Sequence, residues 1–129
     1  DPGGGGWRPM KHLPKHLRPR YRYLWVRIEA ASDADLGRRA FQRAVWTETR
    51  GLLGDAGSAA VDPTVARFAF DDGAGMAVVR VRRGEADRGR AALACVATVD
   101  REPVGIRITG ISGTIDAGEE RYWDVPESR

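Results

Sequence analysis

Lysine is nearly missing from this chain: only Lys11 and Lys15 are lysines among its 21 basic residues, and the rest are arginines. Guanidinium groups pair bidentately with phosphate and stack on bases, whereas an ammonium group acts as a compact point charge. The chain has one cysteine, Cys95, so no internal disulfide forms and a reducing, cytoplasmic setting is expected. Cys95 lies in the apolar stretch Ala91–Val96, where buried filler is the expected role. No hydrophobic run approaches the length of a membrane span, so no membrane partner is expected. Only two histidines occur, His12 and His16. Pro14 between them argues against a shared helical metal face, and no Cys/His/Asp cluster accompanies them.

Acid is absent from the segment Arg8–Arg27, which holds Arg8, Lys11, Lys15, Arg18, Arg20, Arg22 and Arg27. Residues 1–27 carry seven basic groups against Asp1, for +6, and residues 28–129 carry 14 against 17 acids, for −3. The formal net charge of +3 therefore comes from one end of the chain. Trp7, Tyr21, Tyr23 and Trp25 accompany that charge. A cationic, aromatic-bearing arm suits a polyanion: basic groups displace counterions from phosphates, and aromatic rings stack on unpaired bases.

The chain, at 129 residues, holds one core and not two. Residues 1–9 read as a flexible Gly-rich tail with Met10 the expected natural start. Residues 10–20 form the basic arm, residues 21–123 a single domain, and 124–129 a polar tail. Tyr21–Glu29 alternates as a strand, with Leu24, Val26 and Ile28 on one face and Tyr23, Trp25 and Arg27 on the other. Ser32, Asp33 and Asp35 are N-cap candidates for a helix from about Leu36 to Leu53, stopped by Gly54. Its buried side should carry Phe41, Ala44, Val45 and Leu52, and a second stripe carries Arg39, Arg43, Trp46 and Arg50. Gly54–Pro63 reads as a loop. Thr64–Asp71 is a strand with Ala66, Phe68 and Phe70 inward, Asp72–Gly75 a turn, and Met76–Arg83 a returning strand with Ala77, Val79 and Val81 inward. Gly84–Val96 is a second helix, Val104–Ile111 a fourth strand, and Thr114–Trp123 a short terminal helix.

This order is the α+β, ferredoxin-like split β-α-β-β-α-β sandwich, with an antiparallel four-stranded sheet and an extra C-terminal helix. Two helices cover one sheet face. The other would present Tyr23, Trp25, Arg27, Arg67, Val78, Arg80, Arg82 and Arg107. Ferredoxin-like sheets that bind single-stranded RNA usually carry aromatics on both central strands. The third strand here has none, so contact with phosphates and shape is expected over base reading.

Catalytic constellations are missing. Asp71–Asp72 and Glu119–Glu120 are adjacent pairs that do not converge on one point. Ser58, Ser112 and Thr114 lack a nearby histidine base, and Gly54–Gly57 lacks a phosphate-binding lysine.

The segment Met10–Leu24, the helix stretch Phe41–Trp46 with Leu53–Gly57 after it, the strand Ala77–Arg80 and the late Gly110–Ile115 together resemble the archaeal ribonuclease P protein component 2 family (Rpp14/Pop5). The likeness spans about Met10 to Trp123, and the arginine bias and abundant alanine fit its salt-loving branch. The resemblance implies a non-catalytic subunit of ribonuclease P, which removes 5′ leaders from precursor tRNA. The RNA subunit would use the magnesium, and this chain would bind no cofactor or metal. Its partners would be the ribonuclease P RNA, component 3 directly, components 1 and 4 in the same complex, and precursor tRNA as substrate. RNA contacts are expected from Lys11, Lys15, Arg18, Arg20, Arg22, Arg27, Arg67, Arg80, Arg82 and Arg107. Arg39, Arg43 and Arg50 form a secondary basic face, and Trp25, Trp46 and Val78 are partner-interface candidates. One departure stands out: the terminal helix, often basic in that family, here carries Asp116, Glu119 and Glu120 beside Arg121. A generic ferredoxin-like RNA chaperone and a small-ligand regulatory module are the alternatives.

Overall fold

A computed structural model describes residues 20–124. Strand β1 (Tyr21–Glu29) leads to helix α1 (Arg38–Val61), the hairpin β2 (Thr64–Asp71) and β3 (Ala74–Arg82), and helix α2 (Ala86–Ala94). A two-residue hairpin, β4 (Thr98–Val99) with β5 (Glu102–Pro103), precedes β6 (Gly105–Ser112) and helix α3 (Ile115–Tyr122). The main sheet has the order β2-β3-β1-β6, all neighbours antiparallel, which is the split β-α-β-β-α-β arrangement. Asp72 (φ 53) and Gly73 (φ 77) both adopt the left-handed conformation that a two-residue hairpin turn requires.

Period-two alternation sets the core. Leu24, Val26 and Ile28 of β1 meet Ala77, Val79 and Val81 of β3, and Phe41, Val45 and Leu93 close over them from the helices. Each is at most 1% exposed, and a buried residue of this size contributes about 1.5–3 kcal/mol through apolar burial.

Four local expectations are corrected. First, β2 carries a bulge between Val65 and Arg67, so Val65 packs into the core and Ala66 does not, while Phe68 and Phe70 resume the inward face. Second, the N-cap of α1 is Gly37, with no side-chain hydrogen bond. Leu36 dips into the core (7% exposed) before the helix starts, which leaves Ser32, Asp33 and Asp35 too early in the chain to reach its free N–H groups. Third, the helix breaks at Gly54 (φ 75, ψ −179) but resumes to Val61. Turn-forming residues mark the break correctly. The resumed segment forms because Ser58 and Val61 are buried at 2% and 0%, a tertiary gain that composition does not reveal. Fourth, Leu52 is 48% exposed. It shares the azimuth of Phe41 and Val45, but the redirected chain fills the space against the sheet with Thr49, Ser58 and Val61 instead.

Candidate nucleic-acid interface

The sheet face turned away from α1 and α2 is half covered by α3. Thr114 caps that helix, its Oγ1 accepting from the Ala117 N–H at 3.0 Å. Gly118 sits against Trp25: a Cβ added there would stand 2.2 Å from the indole Nε1. Gly110 of β6, paired with Trp25 across the sheet, leaves the same kind of notch for Tyr122, whose ring lies 2.2 Å from where its Cβ would be. Trp25 then contacts Tyr122 and Trp123 at centroid distances of 6.0 and 6.1 Å. Its Nε1 donates to Ser112 Oγ at 2.9 Å.

This packing corrects two partner-interface candidates. Trp25 and its cross-strand neighbour Val78 are both 0% exposed, so they are interior side chains and not a docking surface. Gly118 and Tyr122 of the chain's own terminal helix, with Trp123 just after it, occupy the space in which a partner would have to meet Trp25. Trp46 is half-buried.

The acids on and after α3 also neutralise arginines of the same face. Glu119 pairs with Arg67 at 3.3 Å and Asp124 with Arg27 at 3.1 Å. The Arg67 guanidinium lies 4.8 Å from the Trp123 ring centroid. Exposed pairs of this kind contribute at most about 1 kcal/mol each, but each removes a cation from those free to meet an anion. Arg107, opposite Arg27 in β6, is exposed. On α1, Arg43 pairs with Asp100 and Arg50 with Asp55, both at 3.3 Å, while Arg39 is exposed.

The sheet end where β1 begins and β3 finishes is different. The Arg83 N–H donates to the Arg20 carbonyl at 2.7 Å, and the register sets Tyr21 opposite Arg82, Arg22 opposite Val81 and Tyr23 opposite Arg80. Five arginines therefore lie at one end of the sheet, Arg80 and Arg82 on the face of Tyr21 and Tyr23, and Arg20, Arg22 and Arg83 with the opposite parity. Of these, Arg82 pairs with Asp62 at 3.5 Å. The Arg80 guanidinium lies 4.2 Å from the Tyr21 ring centroid, a cation–π contact, and its Nε is buried with no hydrogen-bond partner. Sequence reasoning did not single out Arg83, and it named Tyr21 only among the aromatics that accompany the basic arm. The Tyr-X-Tyr alternation was the available signal, but only the β1–β3 register places Arg80 beside it.

Lys11, Lys15 and Arg18 lie outside the described residues, as do His12 and His16; the chain from residue 19 backwards joins the basic end at Arg20. The described part holds 16 arginines and 16 acids with no lysine, so the net charge of the chain resides outside it. Among the described residues no three His, Cys, Asp or Glu side chains gather as a metal group, and no helix is long and apolar enough to cross a membrane. Cys95 is exposed, not buried as expected: it caps the C-terminus of α2, while Leu93 and Val96 on either side take the inward positions.

Comparison with known proteins gives a consistent result. The model of the Rpp14/Pop5 family matches residues 22–123. The chain is 62% identical over 113 residues to the ribonuclease P protein component 2 of Halorubrum lacusprofundi, covering 88% of this chain and 71% of that protein. It is 57% identical over 118 residues to the protein of the same name from Natronomonas pharaonis, covering 92% and 73%. Identity to the Pyrococcus horikoshii protein is 32% over 115 residues, covering 89% and 92%. A chain in the cryo-EM structure of yeast ribonuclease MRP shares the fold at a TM-score of 0.57 and 13% identity, over 75% of this chain and 76% of that one. The family match spans nearly all of the described domain, and the relatives align beyond it on the N-terminal side: this chain belongs to the Rpp14/Pop5 family.

Proposed function

We propose that this chain is a protein subunit of ribonuclease P that supports the RNA subunit in removing 5′ leaders from precursor tRNA and supplies no catalytic group of its own. The observation that carries the reading is the 62% identity to a ribonuclease P protein component 2 across 88% of this chain. The site supports it in kind. Phosphodiester hydrolysis requires a metal clamp or a positioned acid/base pair. The arrangement here is instead a set of guanidinium groups at one end of the sheet, with an arm of further basic residues leading into it.

The mechanism is electrostatic. Arg20, Arg22, Arg80, Arg82 and Arg83, with Lys11, Lys15 and Arg18 of the arm, neutralise phosphates near the catalytic RNA and release its counterions. Each phosphate so neutralised lowers the magnesium concentration at which the RNA holds its active fold. Arg27, Arg67 and Arg82 contribute less than the others, because Asp124, Glu119 and Asp62 already pair with them. Component 3 is the proposed direct partner, with components 1 and 4 in the same complex, in the cytoplasm. With Trp25 and Val78 interior, the partner surface is α1, where Trp46 and the exposed Leu52 lie among Arg39, Arg43 and Arg50.

The test is precursor-tRNA cleavage across a magnesium titration, measured for the chain alone, for RNA with component 3, and for all three. The chain alone should cleave nothing, and its addition should raise the rate most at low magnesium. Site-specific cleavage by the chain alone, surviving metal-free repurification, would overturn the non-catalytic role. An unchanged rate at every magnesium concentration would overturn the subunit role.

A further inference from the structure

We propose that Tyr21, Tyr23 and Arg80 form a stacking site for unpaired RNA bases at the open end of the sheet, so that the chain prefers single-stranded RNA over duplex. The inference rests on the reading that this protein works on RNA, and it adds a mode of contact that charge alone does not supply.

Helix α3 is seated over the middle of the face, on Trp25, Gly110 and Arg67. Tyr21 and Tyr23 lie toward the start of β1 and are only half-buried. Arg80 sits directly across from Tyr23 and over the ring of Tyr21. No carboxylate within the described residues pairs with it. Its guanidinium is held in place by the tyrosine, and not by an acid that an incoming phosphate would have to displace. Planar guanidinium and phenol groups are surfaces on which bases stack.

Spacing selects the ligand. Two residues along a strand put the tyrosines about 7 Å apart, twice the ~3.4 Å step of a stacked nucleic-acid strand. Neighbouring bases that engage both positions must therefore be unstacked from each other, which a duplex does not permit. Arg82 lies opposite Tyr21 on the same face, and Arg20 and Arg83 lie at the same end of the sheet with the opposite parity; they supply phosphate contacts that a single strand and a duplex can both use. The two kinds of contact are separable by mutation.

The experiment uses the full chain and two fluorescent probes, a 12-nucleotide single-stranded RNA containing 2-aminopurine and a blunt 12-base-pair RNA duplex. Anisotropy gives affinity, and quenching of 2-aminopurine reports stacking. Replacing both tyrosines, Tyr21→Ala with Tyr23→Ala, should weaken single-strand binding by at least about five- to 150-fold, the range for a single lost stacked base, and abolish the quenching. Duplex binding should stay within about twofold. The Tyr21→Phe, Tyr23→Phe variant keeps the rings and should behave as the parent protein. Should the alanine variant fail to melt at the parent temperature, Arg80→Lys makes the same comparison, since it keeps the charge and removes the plane. Equal losses for both probes, no loss for either, or unquenched 2-aminopurine on the bound parent protein would overturn the stacking site. These results are distinct from failure of the subunit reading, which would appear as intact single-strand preference with no effect on precursor-tRNA cleavage.

Discussion

Glycine-to-alanine exchange at two helical positions should shift stability in opposite directions, and the difference measures whether α3 is seated on the sheet. Gly51 lies inside α1, exposed, with nothing within 4 Å of where a Cβ would stand. Alanine is favoured over glycine in a helix interior by about 1 kcal/mol, so Gly51→Ala should raise the melting temperature by about 4–8 °C in a domain of roughly 100 residues. Gly118 lies mid-way along α3, and the same propensity gain applies. Its Cβ, however, would fall 2.2, 2.3 and 2.5 Å from Nε1, Cε2 and Cζ2 of Trp25. The indole has nowhere to go: it is 0% exposed and its Nε1 is tied to Ser112 Oγ, which itself donates to the Thr114 carbonyl at 2.6 Å. To regain an ordinary contact of about 3.5 Å, the helix must lift by more than an ångström and loosen the packing of Tyr122 and Trp123. Overpacking costs about 1–3 kcal/mol, and three hits on an immobile ring belong in the upper half of that range. After the propensity gain is subtracted, Gly118→Ala should lose about 1–2 kcal/mol, a fall of roughly 4–15 °C. Thermal melts of the parent and both variants at one fixed salt concentration provide the assay, with tryptophan emission as a second probe of wetting around Trp25. If Gly118→Ala raises the melting temperature as much as Gly51→Ala does, α3 is not docked where described and the argument fails.

Trp25→Ala should cost about 3–5 kcal/mol, and any loss of partner binding should track the unfolded fraction; wild-type stability in that variant would refute internal packing. Cys95 should react with one equivalent of a thiol reagent in the native protein, at a rate that sub-denaturing urea leaves unchanged, whereas a rate rising with urea would mean the thiol is buried. Neutralising Arg18, Arg20 and Arg22 together should weaken RNA binding more than the same change at Arg39, Arg43 and Arg50. Arg43 and Arg50 already meet Asp100 and Asp55. A flatter salt dependence should accompany the first loss, by about 0.7–0.9 per phosphate contact removed, and the reverse ranking would refute the placement of the interface.

The strands were legible because burial on one face writes itself as alternation, and β1 and β3 keep one inward phase throughout, although Trp25, Met76 and Val78 on the other face are buried as well. β2 was legible as a strand but not in its inward phase at Val65, because a bulge changes which residue faces in while leaving composition untouched. The resumed turn of α1 was hidden for a related reason: Gly54, Gly57 and Ser58 carry loop propensity, and only the burial of Val61 overrides it. The candidate site divides in the same way. Its arginines could be named from the strand pattern. Which of them remain free could not, since the acids that occupy Arg67 and Arg27 come from 52 and 97 residues further along the chain. Trp25 shows the limit most clearly. An aromatic on the face opposite the helices reads as a binding residue until a glycine-notched helix is brought over it, and Gly118 in an eight-residue helix was the available hint.

A domain with equal numbers of positive and negative groups can still orient a polyanion if the charges are segregated, and here they are. The five arginines gather where β1 starts and β3 ends. At the opposite end the turn after β1 packs on the β2–β3 hairpin, with the Ala30 N–H donating to the Gly73 carbonyl at 2.8 Å. There Glu29, Asp33, Asp35, Asp71 and Asp72 are all exposed. On the proposed reading, RNA would be drawn to one end and repelled from the other, and the basic arm joins the attracting end at Arg20. The range of that steering depends on salt. At about 0.15 M the screening length is near 8 Å, and at 1 M it falls to about 3 Å, shorter than the separation of neighbouring strands at about 4.8 Å. Under high salt, long-range attraction therefore contributes little, and binding must come from groups in direct contact: bidentate guanidinium–phosphate pairs and stacked planes. A surface whose cations are arginines without lysine, one of them already laid over a tyrosine ring, retains both kinds of contact when screening is strong.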